Sequence, residues 1–359
     1  MDRPDSIRVG VVGLGDGGLS NLRALRMIGN VRITALCDVR QERLDAAKAE
    51  FPAARLHDRY QEFAVEPETD VVVIATPDGE HLDVAIGALG HGKRVFVEKP
   101  LATSPADVRR FAELARRYPT VLSFSEKYSF AHPIDACLAA CAELGDFMTG
   151  VTTYTMWQTD RIMGGGKWRT ETAYNPCAGG LSHNFMTALL FSRSPITHVR
   201  ATGGILTYHD GLDRHGGFDT MEGTLRFASG RTLSWLVCLA VTGRNSTHGH
   251  RTVSHVFQFR RGALTYGATP DGDRLVVEGE TIPFEPEPDV VGWPDYNVGV
   301  LYRRMHEDIL ESILTGQPAR HTVEQGINVA AACALAFESA RGDGGWREIP
   351  AALRATRSA

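Results

Sequence analysis

Two hydrophobic periods divide this chain. In its first part, short apolar runs alternate with segments whose apolar residues recur every three to four positions. Residues 7–13 form an apolar run ending in glycine, and residues 20–28 have helical spacing. Val31–Cys37 reads as a second strand and Gln41–Glu50 as a second helix. Residues 70–75 (DVVVIA) are almost wholly apolar, as a strand covered on both faces should be. A helix over 82–89, a strand over Arg94–Val97 and a helix over 104–117 continue the alternation. Such alternation predicts a doubly wound parallel sheet.

The pattern changes beyond residue 145. Segments 149–157, 198–208, 219–228, 231–241 and 252–266 are long and rich in β-branched and aromatic residues. Turns containing Gly or Asp join them, such as Asp271-Gly272-Asp273. They predict an open, mostly antiparallel sheet. Helices over 302–314 and 323–340 close the chain. The expected class is α/β, with a doubly wound parallel-sheet domain over residues 1–125 and a second α/β domain carrying the open antiparallel sheet over 126–359.

The first candidate chemistry lies where the first strand meets the first helix. Gly13-Leu14-Gly15-Asp16-Gly17-Gly18 fits G-x-G-x-x-G, with glycines at 13, 15 and 18. The first glycine permits the tight turn, the second lets backbone approach a pyrophosphate, and the third lets helix and strand pack closely. The helix N-terminus, which includes Asp16, then offers free N–H groups to phosphate. Asp38 ends the second strand, 20 residues after Gly18. A carboxylate there accepts hydrogen bonds from the adenosine ribose and repels a 2′-phosphate. This favours NAD over NADP, although Arg40 nearby suits a 2′-phosphate. The combination predicts a Rossmann domain that binds NAD or NADP.

Composition narrows the remaining classes. Hydrophobic residues make up 43% and charged residues 23%, the balance of a soluble globular protein. The net charge is −5 and no Lys/Arg run occurs, so neither nucleic acid nor an anionic membrane surface is an expected partner. Apolar stretches such as 233–241 are too short to span a bilayer. No basic segment followed by an apolar one opens the chain, and a cytoplasmic location is expected. The cysteines at 37, 137, 141, 177, 238 and 333 form no C-x-x-C pair and are expected to be buried, reduced thiols. His248 and His250 would share a strand face near His255. No carboxylate or cysteine has a convincing ligand spacing around them, so no metal is expected.

Gly92-Lys93-Arg94-Val95-Phe96-Val97 runs into Glu98-Lys99-Pro100. This segment resembles the GKHV-x-x-EKP signature of the Gfo/Idh/MocA family of NAD(P)-dependent oxidoreductases. Ala75-Thr76-Pro77 with His81 is similar to that family's A-T-P-x-x-x-H segment, and residues 322–339 resemble its closing helix. The resemblance implies that Lys99 meets the substrate oxygen near the nicotinamide, with Glu98 orienting it. It implies too that Thr76, Pro77, His81 and Glu98 border the cofactor, and that Pro100 shapes the turn, often after a cis peptide. An ammonium there can stabilise the alkoxide that develops as hydride leaves. The implied reaction exchanges hydride with a secondary alcohol or ketone of a sugar, cyclitol or nucleotide-linked sugar. A homodimer or homotetramer through the open sheet is implied as well.

Alcohol oxidation also releases a proton. The best carrier is His183 in Ala178-Gly179-Gly180-Leu181-Ser182-His183-Asn184. If it lay in the first turn of a helix, the positive dipole end would favour its neutral, basic form. Family members show G-G-G-x-x-x-D-x-G-x-H here, and this chain departs from that pattern. Anchored on the glycines, Asn184 takes the Asp position and Ala188 the His position. Anchored on the histidine, His183 is catalytic and Gly179 stands where Asp belongs; this second alignment keeps a proton carrier. Trp168-Arg169 resembles the W-R preceding this helix. Trp157, Arg161, Lys127 and Asn184 complete the candidate substrate contacts. The incomplete Asp–His pair motivates a competing reading, a non-enzymatic regulator responsive to the dinucleotide; a third reading is a glycosidase that retains NAD and works by transient oxidation and elimination.

Overall fold

Strands buried on both faces need apolar side chains in succession, and Val71–Ile74 supplies four buried residues in a row. In this computed structural model that segment is strand β4, central to the first of two sheets. The structure describes residues 6–119, 122–124, 126–130, 132–156, 177–206, 217–240, 251–269, 272–282 and 296–355. The elements of the first sheet and its helices are β1 (Ile7–Val12), α1 (Asp16–Arg26), β2 (Val31–Cys37), α2 (Gln41–Glu50), β3 (Arg55–His57), α3 (Tyr60–Ala64), β4, α4 (His81–Gly90), β5 (Arg94–Val97), α5 (Pro105–Arg117) and β6 (Leu122–Phe124). The strand order is β3-β2-β1-β4-β5-β6, and every pair is parallel. Order reverses between β1 and β4, which opens a crevice at the carboxyl ends of those strands. Helix α5 shows how local sequence sets the boundaries. Ser104 caps its N-terminus by accepting the Asp107 N–H at 3.1 Å, Pro105 opens it, and Arg116 and Arg117 sit in its last turn.

The chain then forms α6 (His132–Leu144), β7 (Phe147–Met156), α7 (Cys177–Ser192), β8 (Ile196–Gly204), β9 (Thr220–Phe227), β10 (Thr232–Cys238), β11 (Arg251–Phe259), β12 (Gly262–Thr269), β13 (Gly272–Val277), β14 (Glu280–Thr281), α8 (Tyr296–Thr315), α9 (Val323–Arg341) and β15 (Arg347–Glu348). Among the described residues, nine strands make the second sheet, in the order β14-β13-β12-β11-β7-β10-β9-β8-β15, and only β7 and β10 pair in parallel. Alternation decides its two faces. Trp235, Val237, Tyr154, Phe257 and Leu264 are buried, whereas Val151, Ser234, Glu222 and Gln258 are exposed. Helix α7 packs on β7, β10 and β9. Among the described residues, no helix is long and apolar enough to cross a membrane.

The expected single cut after residue 125 requires correction. One compact unit comprises Met1–Phe130 and Glu287–Gly326; the other comprises Ala131–Pro286 and Ile327–Ala359. The reason lies in α8. Its Tyr302, Met305, Ile309 and Leu310 recur at helical spacing and share a core with Leu22 and Leu25 of α1 and with Phe130. Burying a large apolar side chain is worth roughly 1.5–3 kcal/mol. Loop-closure entropy grows only slowly with length, so the long return is inexpensive by comparison.

Candidate active site

The glycine loop is built by close backbone contacts. Gly13 has φ +88°, and a Cβ there would lie 2.6 Å from the Ala75 carbonyl oxygen. A Cβ on Gly18 would overlap the carbonyl oxygen of Gly13. Gly15 caps α1 with no side-chain hydrogen bond, so the helix keeps free N–H groups at its start. Asp16, exposed, begins that helix. Across the crevice, Thr76 and Pro77 follow β4, and the buried Thr76 Oγ1 has no hydrogen-bond partner among the described residues. A pinched glycine turn, an uncapped helix start and an unsatisfied hydroxyl fit a pyrophosphate-linked dinucleotide.

Asp38 lies at the end of β2, 6% exposed. Its Oδ2 accepts the Leu14 N–H at 2.7 Å and its Oδ1 accepts the Arg40 N–H at 2.9 Å. The carboxylate therefore braces the glycine loop. Arg40 contributes its backbone here, and its side chain is exposed. The guanidinium at Asp38 belongs instead to Arg43, whose Nη1 is 3.2 Å from Oδ2 and 3.6 Å from where a Gly15 Cβ would be. The sequence reading missed Arg43. Its only signal was its place at the start of α2, one turn past Asp38.

His81 is buried, with Nδ1 3.1 Å from the Pro100 carbonyl oxygen and Nε2 3.0 Å from that of Thr76. It tethers the Thr76 loop to the Lys99 turn, so its bearing on a cofactor runs through those loops. The Lys99–Pro100 peptide is cis. Glu98, just past β5, accepts the Lys99 N–H through Oε2 at 3.1 Å. Its Oε1 accepts from Asn21 Nδ2 at 2.9 Å. Lys99 is partly buried, and its ammonium is pushed down from 10.5 to about 8. Burial is the main cause and the Lys127 charge the next; Glu98, Glu126 and Tyr128 oppose them. Lys127 is itself buried, its Nζ 4.9 Å from the ring centres of both Tyr128 and Tyr302.

In the second unit, His183 and Asn184 lie in α7. The helix includes Cys177, so His183 is beyond its first turn and the expected dipole effect does not reach it. The His183 ring packs against Tyr154 at 5.7 Å and 31°, and the residue is 6% exposed. Asn184, expected at the substrate, is fully buried and donates Nδ2 to the Leu236 carbonyl at 3.3 Å. It fastens α7 to β10. Trp157, Arg161, Trp168, Arg169, His248 and His250 lie outside the described residues. His255 is described. It is buried between Phe257 and Tyr266, and burial pushes its imidazole down to about 3. Among the described residues, no three side chains are grouped to hold a metal ion.

Comparison with known proteins bears on this geometry. A family model described as "Oxidoreductase family, NAD-binding Rossmann fold" matches residues 7–125. Residues 7–125 thus match the NAD-binding Rossmann domain of the Gfo/Idh/MocA oxidoreductase family. A nicotinamide dinucleotide is the cofactor class of that family domain. Two similar proteins are a 1-carboxy-3-chloro-3,4-dihydroxycyclohexa-1,5-diene dehydrogenase of Comamonas testosteroni and an inositol 2-dehydrogenase of Salmonella paratyphi B. The first is 38% identical over 128 residues, covering 36% of this chain and 32% of that protein. The second is 33% identical over 114 residues, covering 31% and 34%. These matches thus span about a third of each relative's length. The fold extends further. A Lactobacillus casei scyllo-inositol dehydrogenase solved with NAD(H) and scyllo-inositol has a TM-score of 0.74 at 19% identity, covering 96% of this chain and 99% of that one.

Proposed function

We propose that this chain acts as a Gfo/Idh/MocA oxidoreductase, exchanging hydride between a nicotinamide dinucleotide and a secondary alcohol or ketone on a small polyhydroxylated ring. Lys99 carries the reading. It sits past the carboxyl end of β5 in a doubly wound sheet, and its ammonium is held near 8 by burial and by Lys127. Such a group donates a strong hydrogen bond to a carbinol oxygen and stabilises the alkoxide that forms there. It also changes charge close to working pH, as an acid–base group should. When bound, the nicotinamide supplies the hydride acceptor or donor. Asp38 favours NAD over NADP by facing the ribose hydroxyls, with Arg43 moderating that preference. The family resemblance assigns the proton to His183. Relatives named as inositol dehydrogenases support a cyclitol substrate, with sugars and nucleotide-linked sugars in the same chemical class. The exposed face of the nine-stranded sheet is the proposed surface for homodimers or homotetramers.

The test is a screen of cyclitols, polyols and keto-sugars with both dinucleotides, followed by the absorbance of the reduced nicotinamide. At least one cyclitol should produce reduced cofactor, and Lys99→Ala should lower its turnover about 100-fold or more. Full activity in that variant would remove Lys99 from the mechanism.

A further inference from the structure

Helix α8 reaches the lysine turn through a buried chain of hydrogen bonds. Asn21 of α1 is fully buried and donates Nδ2 to two acceptors, the Gly17 carbonyl at 2.8 Å and Glu98 Oε1 at 2.9 Å. Its Oδ1 lies 2.6 Å from Nε2 of His306. The amide cannot be reversed, because an oxygen would then face a carbonyl and a carboxylate oxygen. His306 must therefore donate from Nε2. Burial pushes its imidazole down to about 3, which leaves the neutral ring with its proton on that nitrogen. The ring also packs edge-on against Phe96 of β5, at 5.4 Å and 75°. Glu98, anchored by Asn21 on one oxygen, seats the Lys99 backbone with the other.

We propose that His306 is a positioning residue for two parts of the site at once: through Asn21 it fixes the Glu98 carboxylate under Lys99 and ties that carboxylate to the glycine loop at Gly17. Cofactor loop and lysine turn are then one hydrogen-bonded unit, keyed by a helix from the far end of the chain. The inference rests on the proposed role of Lys99, but neither measurement below requires a substrate.

The experiment compares His306→Phe with His306→Gln. The first keeps a ring of similar size against Phe96 and removes the donor; the second supplies an amide N–H in its place. Dinucleotide affinity is read by fluorescence titration. The pH midpoint of Lys99 is read by acetic anhydride labelling and peptide mass spectrometry. His306→Phe should weaken NAD binding about tenfold, since a buried acceptor loses its donor. It should also lower the Lys99 midpoint, because a released Glu98 no longer raises it. His306→Gln should restore both readouts towards wild type. Wild-type values in both variants, or equal losses in both, would overturn the proposal. Failure to find any substrate would count against the proposed reaction and leave these two readouts standing.

Discussion

Replacing Lys99 with methionine should stabilise the protein at neutral pH while removing its activity. Lys99 is charged in the unfolded chain up to its ordinary value of 10.5, but in the fold only up to about 8. At about 1.4 kcal/mol per tenfold change in proton affinity, holding that ammonium costs the folded state on the order of 3 kcal/mol. Partial exposure of the side chain trims this toward about 2 kcal/mol. The sign follows from proton counting. Between about pH 8 and 10.5 the unfolded chain binds the extra proton, so stability rises with pH across that window. Below pH 8 the full cost is present. Methionine keeps the stem's length and carries no charge, so it escapes the cost at every pH. Urea unfolding of wild type and Lys99→Met, at pH 7, 9 and 10.5, measures the difference. The variant should be about 2–3 kcal/mol more stable at pH 7, and the gap should close as pH rises. Equal stability at pH 7, or a gap independent of pH, would refute the claim that the fold holds Lys99 under electrostatic load.

Three further substitutions probe separate parts of the site. Gly18→Ala should weaken dinucleotide binding more than tenfold in an equilibrium titration, because the added methyl overlaps the Gly13 carbonyl oxygen. Asp38→Ala should shift the ratio of NAD to NADP affinity toward NADP by about tenfold, and an unchanged ratio would end the ribose assignment. Lys127→Met removes the second ammonium beside Lys99, so the Lys99 midpoint in the labelling assay should move up; a fixed midpoint would mean burial alone sets it.

Much of this was legible in the chain because it rests on local pattern. Val71–Ile74 had to be doubly covered, and the glycines at 13 and 18 had to sit where no side chain fits. β3 and α3 escaped notice because three and five residues are too few to show a period. Helix α8 was visible as a helix, but an apolar stripe does not say which core it joins. The partners of Asn21 were out of reach for the same reason: one is at 98 and the other at 306. At Asp38 the carboxylate was identified and its cation was not, because Arg40 points away and Arg43, one helical turn on, points back. Asn184 is a polar residue in sequence; only the packing of α7 against β10 shows that its Nδ2 reaches a strand carbonyl while its buried Oδ1 has no hydrogen-bond partner among the described residues.

The central claim is hydride transfer from a carbinol carbon to a nicotinamide, and isotope tracing tests it most directly. A cyclitol found active in the screen is supplied with deuterium on its carbinol carbons, together with oxidised NAD. Mass spectrometry of the released cofactor should then show one deuterium at the nicotinamide C4, in proportion to ketone formed. Substrate turned over with no deuterated reduced cofactor released would contradict a net dehydrogenase, and a cleaved glycoside in its place would identify the cofactor as one that is reduced and reoxidised within each turnover.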